Sequence, residues 1–160
     1  IDITQTYFTK HQRKKRIVML KTILSITGKP GLYRLVSHAK NMLIVESLAD
    51  KRRVPAYAKD KVISLGDIAM YTTDTEVPLH EVLTNMKNKE NGNPTTLSPT
   101  KATTEELRNY LAEVLPNYDR DRVYPSDIRK LISWYNILVK AGITEFTPAE
   151  EAPAAEQNEE

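Results

Sequence analysis

The sequence predicts a small α+β protein in which an antiparallel β-half precedes about three helices. Three apolar runs follow one another within residues 22–48, and turn residues separate them at 28–31 and at 39–41. Apolar residues at helical spacing in the second half predict the helices. Because closure removes exposed edges, we expect a five-stranded SH3-like antiparallel β-barrel or a strongly bent sheet.

The β-half is predicted to contain strands at residues 22–26, 32–37 and 42–48. Residues 42–45 are apolar on both faces, which favours a central strand. After a charged loop at 51–61, residues 62–65 and 67–72 supply further strand material. Gly66 stands between these last two segments and predicts a bulge or sharp bend.

The helical half begins at Pro78, which fits the first turn of a helix that extends to about residue 89. A linker composition follows at 91–99. Thr103 and Glu106 form a capping-box pattern, and the helix that they begin ends at Pro116. The last helix opens at Pro125 or the next residue and stops at Gly142. The helix that begins after Thr103 and the last helix each carry one apolar stripe, which predicts core packing.

The domain organisation predicted from these patterns has five parts. Residues 1–18 form a disordered basic arm or a non-native extension, with five basic residues and one acidic residue. Residues 19–90 form the β-barrel domain with a capping helix, 91–102 the linker, and 103–144 a helical hairpin. Residues 145–160 carry six Glu and no basic residue, which predicts a disordered acidic tail.

Several function classes are disfavoured by what the sequence lacks. No apolar run reaches the length of a transmembrane helix, and the chain contains 0 cysteines, which fits a cytoplasmic location. The 3 histidines have no partner at metal-ligand spacing, and no nucleophile or phosphate-loop motif occurs. We therefore expect no metal, no cofactor, no membrane association and no enzymatic activity.

The leading functional hypothesis is a noncatalytic binding module that binds nucleic acid through a basic surface. Cations would hold phosphates while an aromatic ring stacks on bases. The residues assigned to this surface are Arg34, Lys51, Arg52, Arg53, Tyr57, Lys59 and Lys61. The simpler interpretation is a solvated loop whose charges aid solubility.

Two other hypotheses concern partners. Trp134 lies at the margin of the last helix's apolar stripe, where it either packs at the rim of the core or anchors an interface. The second hypothesis is therefore a protein-interaction or scaffold module that forms homo-oligomers through its helical region. The third is a small-ligand or peptide site in the barrel mouth near Tyr33, Tyr57 and Tyr71.

From residue 19 to about residue 142 the chain resembles an uncharacterised bacterial family from Bacteroidetes. The resemblance is carried by MLKTILSITGKPGLYRLV, LIVESLADKRRVPAY, KVISLGDIAMYT and YPSDIRKLISWYNIL. It implies a small β-domain with a helical companion region, both of unknown function. It implies no activity, cofactor or catalytic residue, and the arm 1–18 falls outside it.

Overall fold

The computed structural model describes residues 20–146. The predicted basic arm 1–18 and residues 147–160 of the predicted acidic tail lie outside the described residues. Within the described range, residues 20–22 are helical and lead into a five-stranded antiparallel sheet. The sheet and a two-stranded ribbon precede three longer α-helices. This architecture confirms the predicted α+β class.

The sheet contains β1 (Ile23–Ile26), β2 (Tyr33–Ala39), β3 (Met42–Ser47), β4 (Arg53–Tyr57) and β5 (Val62–Ser64). Neighbours pair antiparallel in the order β4-β3-β2-β1-β5. Four predicted strands are confirmed to within about two residues at each end. The predicted loop 51–61 is wrong in part, since it contains β4. Pro55 lies in β4 and is tolerated because β4 is an edge strand.

The sheet does not close into the expected barrel. Among the described residues, β4 and β5 each pair with one neighbouring strand, so both edges stay open. The register of β2 against β3 shifts between Leu35 and Ser37, and such an irregularity bends and twists a strand. One face of the sheet encloses a small core of its own. Its buried members are Leu24, Ile26, Val45 and Ala56.

A tight joint connects the sheet to the rest of the chain. A 3-10 helix at Leu65–Asp67 follows β5 and leads into the ribbon of β6 (Ala69–Tyr71) and β7 (Glu76–Pro78). The predicted strand 67–72 therefore contributes β6 to this ribbon and not to the sheet. A Cβ on Gly66 would lie 2.8 Å from Cγ and 3.0 Å from Cα of Lys21. The predicted bend is confirmed, and its glycine allows this close approach.

The helices are α1 (Leu79–Glu90), α2 (Thr104–Val114) and α3 (Pro125–Lys140). The predicted capping box is confirmed, because Thr103 Oγ1 accepts from the Glu106 amide at 3.1 Å and Glu106 Oε1 accepts from the Thr103 amide at 2.9 Å. Pro125 occupies the first turn of α3. Gly142 follows α3 with φ of 83°, the left-handed conformation that ends many helices.

One main hydrophobic core joins the helices to the sheet. Its β-half members are Leu20, Ile23, Leu32, Leu48 and Leu65, and they pack with the apolar stripes of α1, α2 and α3. Phe146 is buried in this core as well, so packing extends two residues into the segment predicted as acidic tail.

The segment predicted as the linker 91–102 packs along α3. The Tyr135 hydroxyl donates to the Asn93 carbonyl at 2.8 Å, and the Thr95 amide donates to Asn136 Oδ1 at 2.8 Å. These side chains of α3 fix the path of a segment that has no helix or strand of its own.

Candidate functional site

The predicted basic surface is partly neutralised by one glutamate. Arg34, Glu46 and Arg53 lie opposite one another on β2, β3 and β4 and therefore share one face of the sheet. Arg34 Nη2 lies 2.6 Å from Glu46 Oε1, and Arg53 Nε lies 3.5 Å from Glu46 Oε2. The hydrogen bond from Arg34 is the largest cause that lowers the pKa of Glu46. The arginines thus hold a carboxylate between them.

The remaining cations of that surface do not converge. Lys51 and Arg52 occupy the β3–β4 turn, whereas Lys59 and Lys61 occupy the β4–β5 connection. The five residues of β4 separate the two pairs by about 15 Å. Tyr57 ends β4, 47% exposed, beside the second pair. The structure therefore places these residues at the two ends of one edge strand.

The three tyrosines of the third hypothesis also lie apart. Tyr33 packs against the small core of the sheet, and Tyr57 is exposed at the end of β4. Tyr71 lies in β6, where the Arg122 guanidinium stacks 4.2 Å from its ring centre. A cavity of about 350 Å³ opens near Tyr57, but neither of the other two rings lines it.

A larger cleft, of about 680 Å³, lies between the sheet and the last helix. One wall is the end of β1 and the β1–β2 turn, together with Ile63 of β5. The opposite wall is α3, with Pro99 and Thr100 at its margin. Trp134 belongs to this wall, so the residue singled out as a rim or interface aromatic borders the cleft.

The turn wall is shaped by two glycines. Gly28 has φ of 86° and Gly31 has φ of 81°, both in the region that favours glycine. The Lys29 amide donates to the Ile26 carbonyl at 3.0 Å, which closes the turn and leaves the Lys29 side chain exposed at its tip. Ile63 of β5 lies opposite Ser25 of β1 and is 49% exposed. The turn therefore presents a cation beside an apolar patch.

The helix wall consists of residues that lie one turn apart. Lys130, Ser133, Trp134 and Ile137 recur at spacings of three and four and form a stripe beside the buried stripe of α3. Trp134 is partly buried and packs against the main core with the rest of its surface open to the cleft. Arg129 reaches across the cleft margin and donates from Nη1 to the Pro99 carbonyl at 2.8 Å.

The electrostatics of the cleft are one-sided. Its described lining includes three cations, Lys29, Arg129 and Lys130, and no carboxylate. A smaller cavity of about 260 Å³ adjoins it and shares Ile68, Lys130 and Trp134. The carboxylate of Asp127 lines only this smaller cavity and accepts the Tyr124 amide at 2.9 Å. The larger cleft should therefore favour negatively charged groups.

Groups suited to catalysis or metal binding are not gathered in the cleft. No cluster of three or more His, Asp or Glu side chains that could hold a metal occurs within residues 20–146. The pKa of Tyr110 is raised, first by burial and then by its hydrogen bond to Glu90, but this pair lies on α2 and α1. Across the same range, no helix has the length and apolar character needed to cross a bilayer.

The sequence pattern identifies Trp134 but not the cleft residues around it. Lys29 belongs to the turn predicted at 28–31, whereas the sequence predicts no binding role for Lys29, Lys130 or Ser133. The one available signal was the spacing of Lys130, Trp134 and Ile137, a second stripe on α3. Nothing local in the sequence indicates that the β1–β2 turn faces this stripe.

Two family models match the chain, each described as a domain of unknown function. DUF5606 matches residues 20–65, and DUF6852 matches residues 68–138. A solution NMR structure from Bacteroides vulgatus, a target of the Northeast Structural Genomics Consortium, is 68% identical. It covers 85% of this chain and 94% of its own, with a TM-score of 0.69. A comparison with curated proteins gives no significant match. The two matched regions meet at the 3-10 helix, so the cleft lies between them.

Proposed function

The chain belongs to an uncharacterised Bacteroidetes family that joins two domains of unknown function, and from this premise we propose that it is a noncatalytic binding module. Its binding site is the cleft between the two domains. The observation that carries the proposal is the position of Trp134, a large aromatic with one side packed on the core and the other lining a concavity of about 680 Å³. Ligand sites in proteins are commonly concave, largely apolar and located between domains.

The composition of the cleft supports binding rather than catalysis. The cleft combines the apolar side chains of Ile63, Trp134 and Ile137 with lysines that carry their charge at exposed positions. No histidine or carboxylate, the usual general acids and bases, lines the described cleft. These features supply affinity and orientation but no group that is poised for proton transfer.

NMR mapping of bound fragments and short peptides on the full chain tests this proposal. We expect the largest shift changes at the Trp134 indole N–H and at the amides of Lys29 and Ile63. Shift changes confined to β3 and β4 would reject the cleft as the site. Trp134→Ala should abolish the response, and Tyr124→Ala serves as the matched control because Tyr124 is 60% exposed and lies outside both cavities.

Nucleic-acid binding and self-association are the alternative partner hypotheses. The paired Glu46 and the separation of Lys51 from Lys59 favour the cleft over the basic surface. Salt-dependent binding of single-stranded RNA that is lost in Lys51→Glu would instead support the basic surface as the binding site. Light scattering that gives twice the monomer mass would instead support the homo-oligomer hypothesis. The cysteine-free composition supports the proposed cytoplasmic location.

We also propose that the β-half is an SH3-like barrel left open between β4 and β5. Three features support this: the central place of β1 beside both β2 and β5, the irregularity in β2, and the small core on one face. A measured ladder of hydrogen bonds between β4 and any strand other than β3 would contradict the open edge.

A further inference from the structure

We propose that the cleft takes a short linear peptide of a partner protein in which an acidic residue accompanies a bulky apolar residue. This inference rests on the proposed function and names the chemistry of its ligand. The acidic residue would meet Lys29 and Lys130, and the apolar residue would pack on Trp134 and Ile63. In each pair one residue lies on the sheet wall of the cleft and the other on α3.

The apolar side of the cleft is suited to one anchoring side chain. Trp134 and Ile137 of α3 face Ile63 and Pro30 across the opening. Ile63 leaves 49% of its surface exposed, so apolar surface is available on this wall of the cleft. A bulky side chain inserted between these walls would cover apolar surface that water now contacts. Tryptophan is among the residue types that most often dominate binding free energy.

The charged side of the cleft is suited to a carboxylate. Within residues 20–146, neither Lys29 nor Lys130 forms an ion pair. The guanidinium of Arg129 uses one of its five donors on the Pro99 carbonyl. Both lysines are exposed, so a carboxylate can reach them without burying an unpaired charge. The same charges should speed association and make it sensitive to salt.

The same lining argues against a nucleic-acid strand. Proteins that bind single strands combine a cationic groove with several aromatic platforms for successive bases. The described cleft has one aromatic side chain, and isoleucine and proline form most of its apolar wall. Its concave shape also excludes a flat protein surface but admits a protruding segment.

Selection of short random peptides against the full chain tests the inference. We expect the enriched sequences to share Asp or Glu within a few positions of Leu, Ile, Phe or Trp. A synthetic peptide of that consensus should bind less tightly as salt is raised. Fluorescence anisotropy of the labelled peptide gives its dissociation constant for each variant.

Two pairs of variants separate the apolar and the charged contributions. Trp134→Ala should weaken binding by at least about thirtyfold. Ile63→Ser tests the apolar contact of the opposite wall without touching the core, since Ile63 is half exposed. Lys130→Glu should weaken binding roughly fivefold to tenfold and flatten its salt dependence. Lys51→Glu makes the same charge change outside the cleft and should leave binding unchanged.

The outcomes distinguish this inference from the proposed function. Enriched peptides that need Trp134 and Ile63 but lack an acidic residue, and that ignore Lys130→Glu, would overturn the inference and leave the cleft as the binding site. Failure of every peptide to depend on Trp134 or Ile63 would overturn both. Binding of a single-stranded oligonucleotide that competes with the peptide and requires Trp134 would replace the peptide with nucleic acid.

Discussion

The joint at Gly66 offers the sharpest prediction for stability. A methyl group at this position would lie 2.8 Å from Lys21 Cγ and 3.0 Å from Lys21 Cα. Such overpacking costs about 1–3 kcal/mol, and the lower entropy of the unfolded alanine chain returns about 0.4–1 kcal/mol. Gly66→Ala should therefore lower the free energy of unfolding by about 1–2 kcal/mol. For a chain of this size the melting temperature should fall by about 2–8 °C.

Thermal and urea unfolding followed by circular dichroism measure this change, with coincident probes to confirm two-state behaviour. Asp67→Ala is the control, since it alters the next, exposed residue of the same turn. In the background of Lys21→Ala the 2.8 Å contact with Cγ is gone, while the contacts with Cα at 3.0 Å and Cβ at 3.4 Å are left, so Gly66→Ala should cost less there. A Gly66→Ala variant as stable as the parent chain would refute the close approach between the two segments.

Three further predictions concern the segment 91–102, the basic surface and the stability of the fold at alkaline pH. Tyr135→Phe removes the hydrogen bond to the Asn93 carbonyl, so it should lower the free energy of unfolding by about 1 kcal/mol and speed amide exchange in residues 93–97. Unchanged exchange would contradict the packing of this segment along α3. Glu46→Gln frees the two flanking arginines, so it should raise affinity for single-stranded RNA at low salt if that face binds nucleic acid; no change would remove this surface from consideration. Burial and Glu90 raise the pKa of Tyr110, so the folded state favours its neutral phenol. That stability is complete below about pH 10 and is lost as pH rises above it; a melting temperature equally alkali-sensitive in Tyr110→Phe would exclude this assignment.

Local signals predicted most of the regular elements. The capping box at Thr103, the proline that starts α3 and the glycine that ends it are short-range devices, and each has the predicted position. The segment with β4 was misjudged because Pro55 and its charged neighbours weaken a strand pattern. Its strand structure depends on pairing with β3, and the sequence of β4 alone does not reveal that pairing.

The candidate site could be predicted only in part. Trp134 was predicted as a rim or interface residue because it is a large aromatic at the margin of the apolar stripe of the last helix. Lys29 lies about a hundred positions earlier in the chain. The joint at residues 64–68 and the main hydrophobic core together bring its turn opposite α3. The cleft therefore depends on long-range packing, while the predicted basic surface depended on residues close in sequence.

The central claim is that ligands bind in the cleft beside Trp134. The chain has a single tryptophan, so 5-fluorotryptophan labelling gives one ¹⁹F resonance that reports on this site. We predict that titration with a selected acidic-apolar peptide shifts this resonance, with the same midpoint as binding measured by anisotropy. A peptide that binds fully while the Trp134 resonance stays in place would contradict the claim.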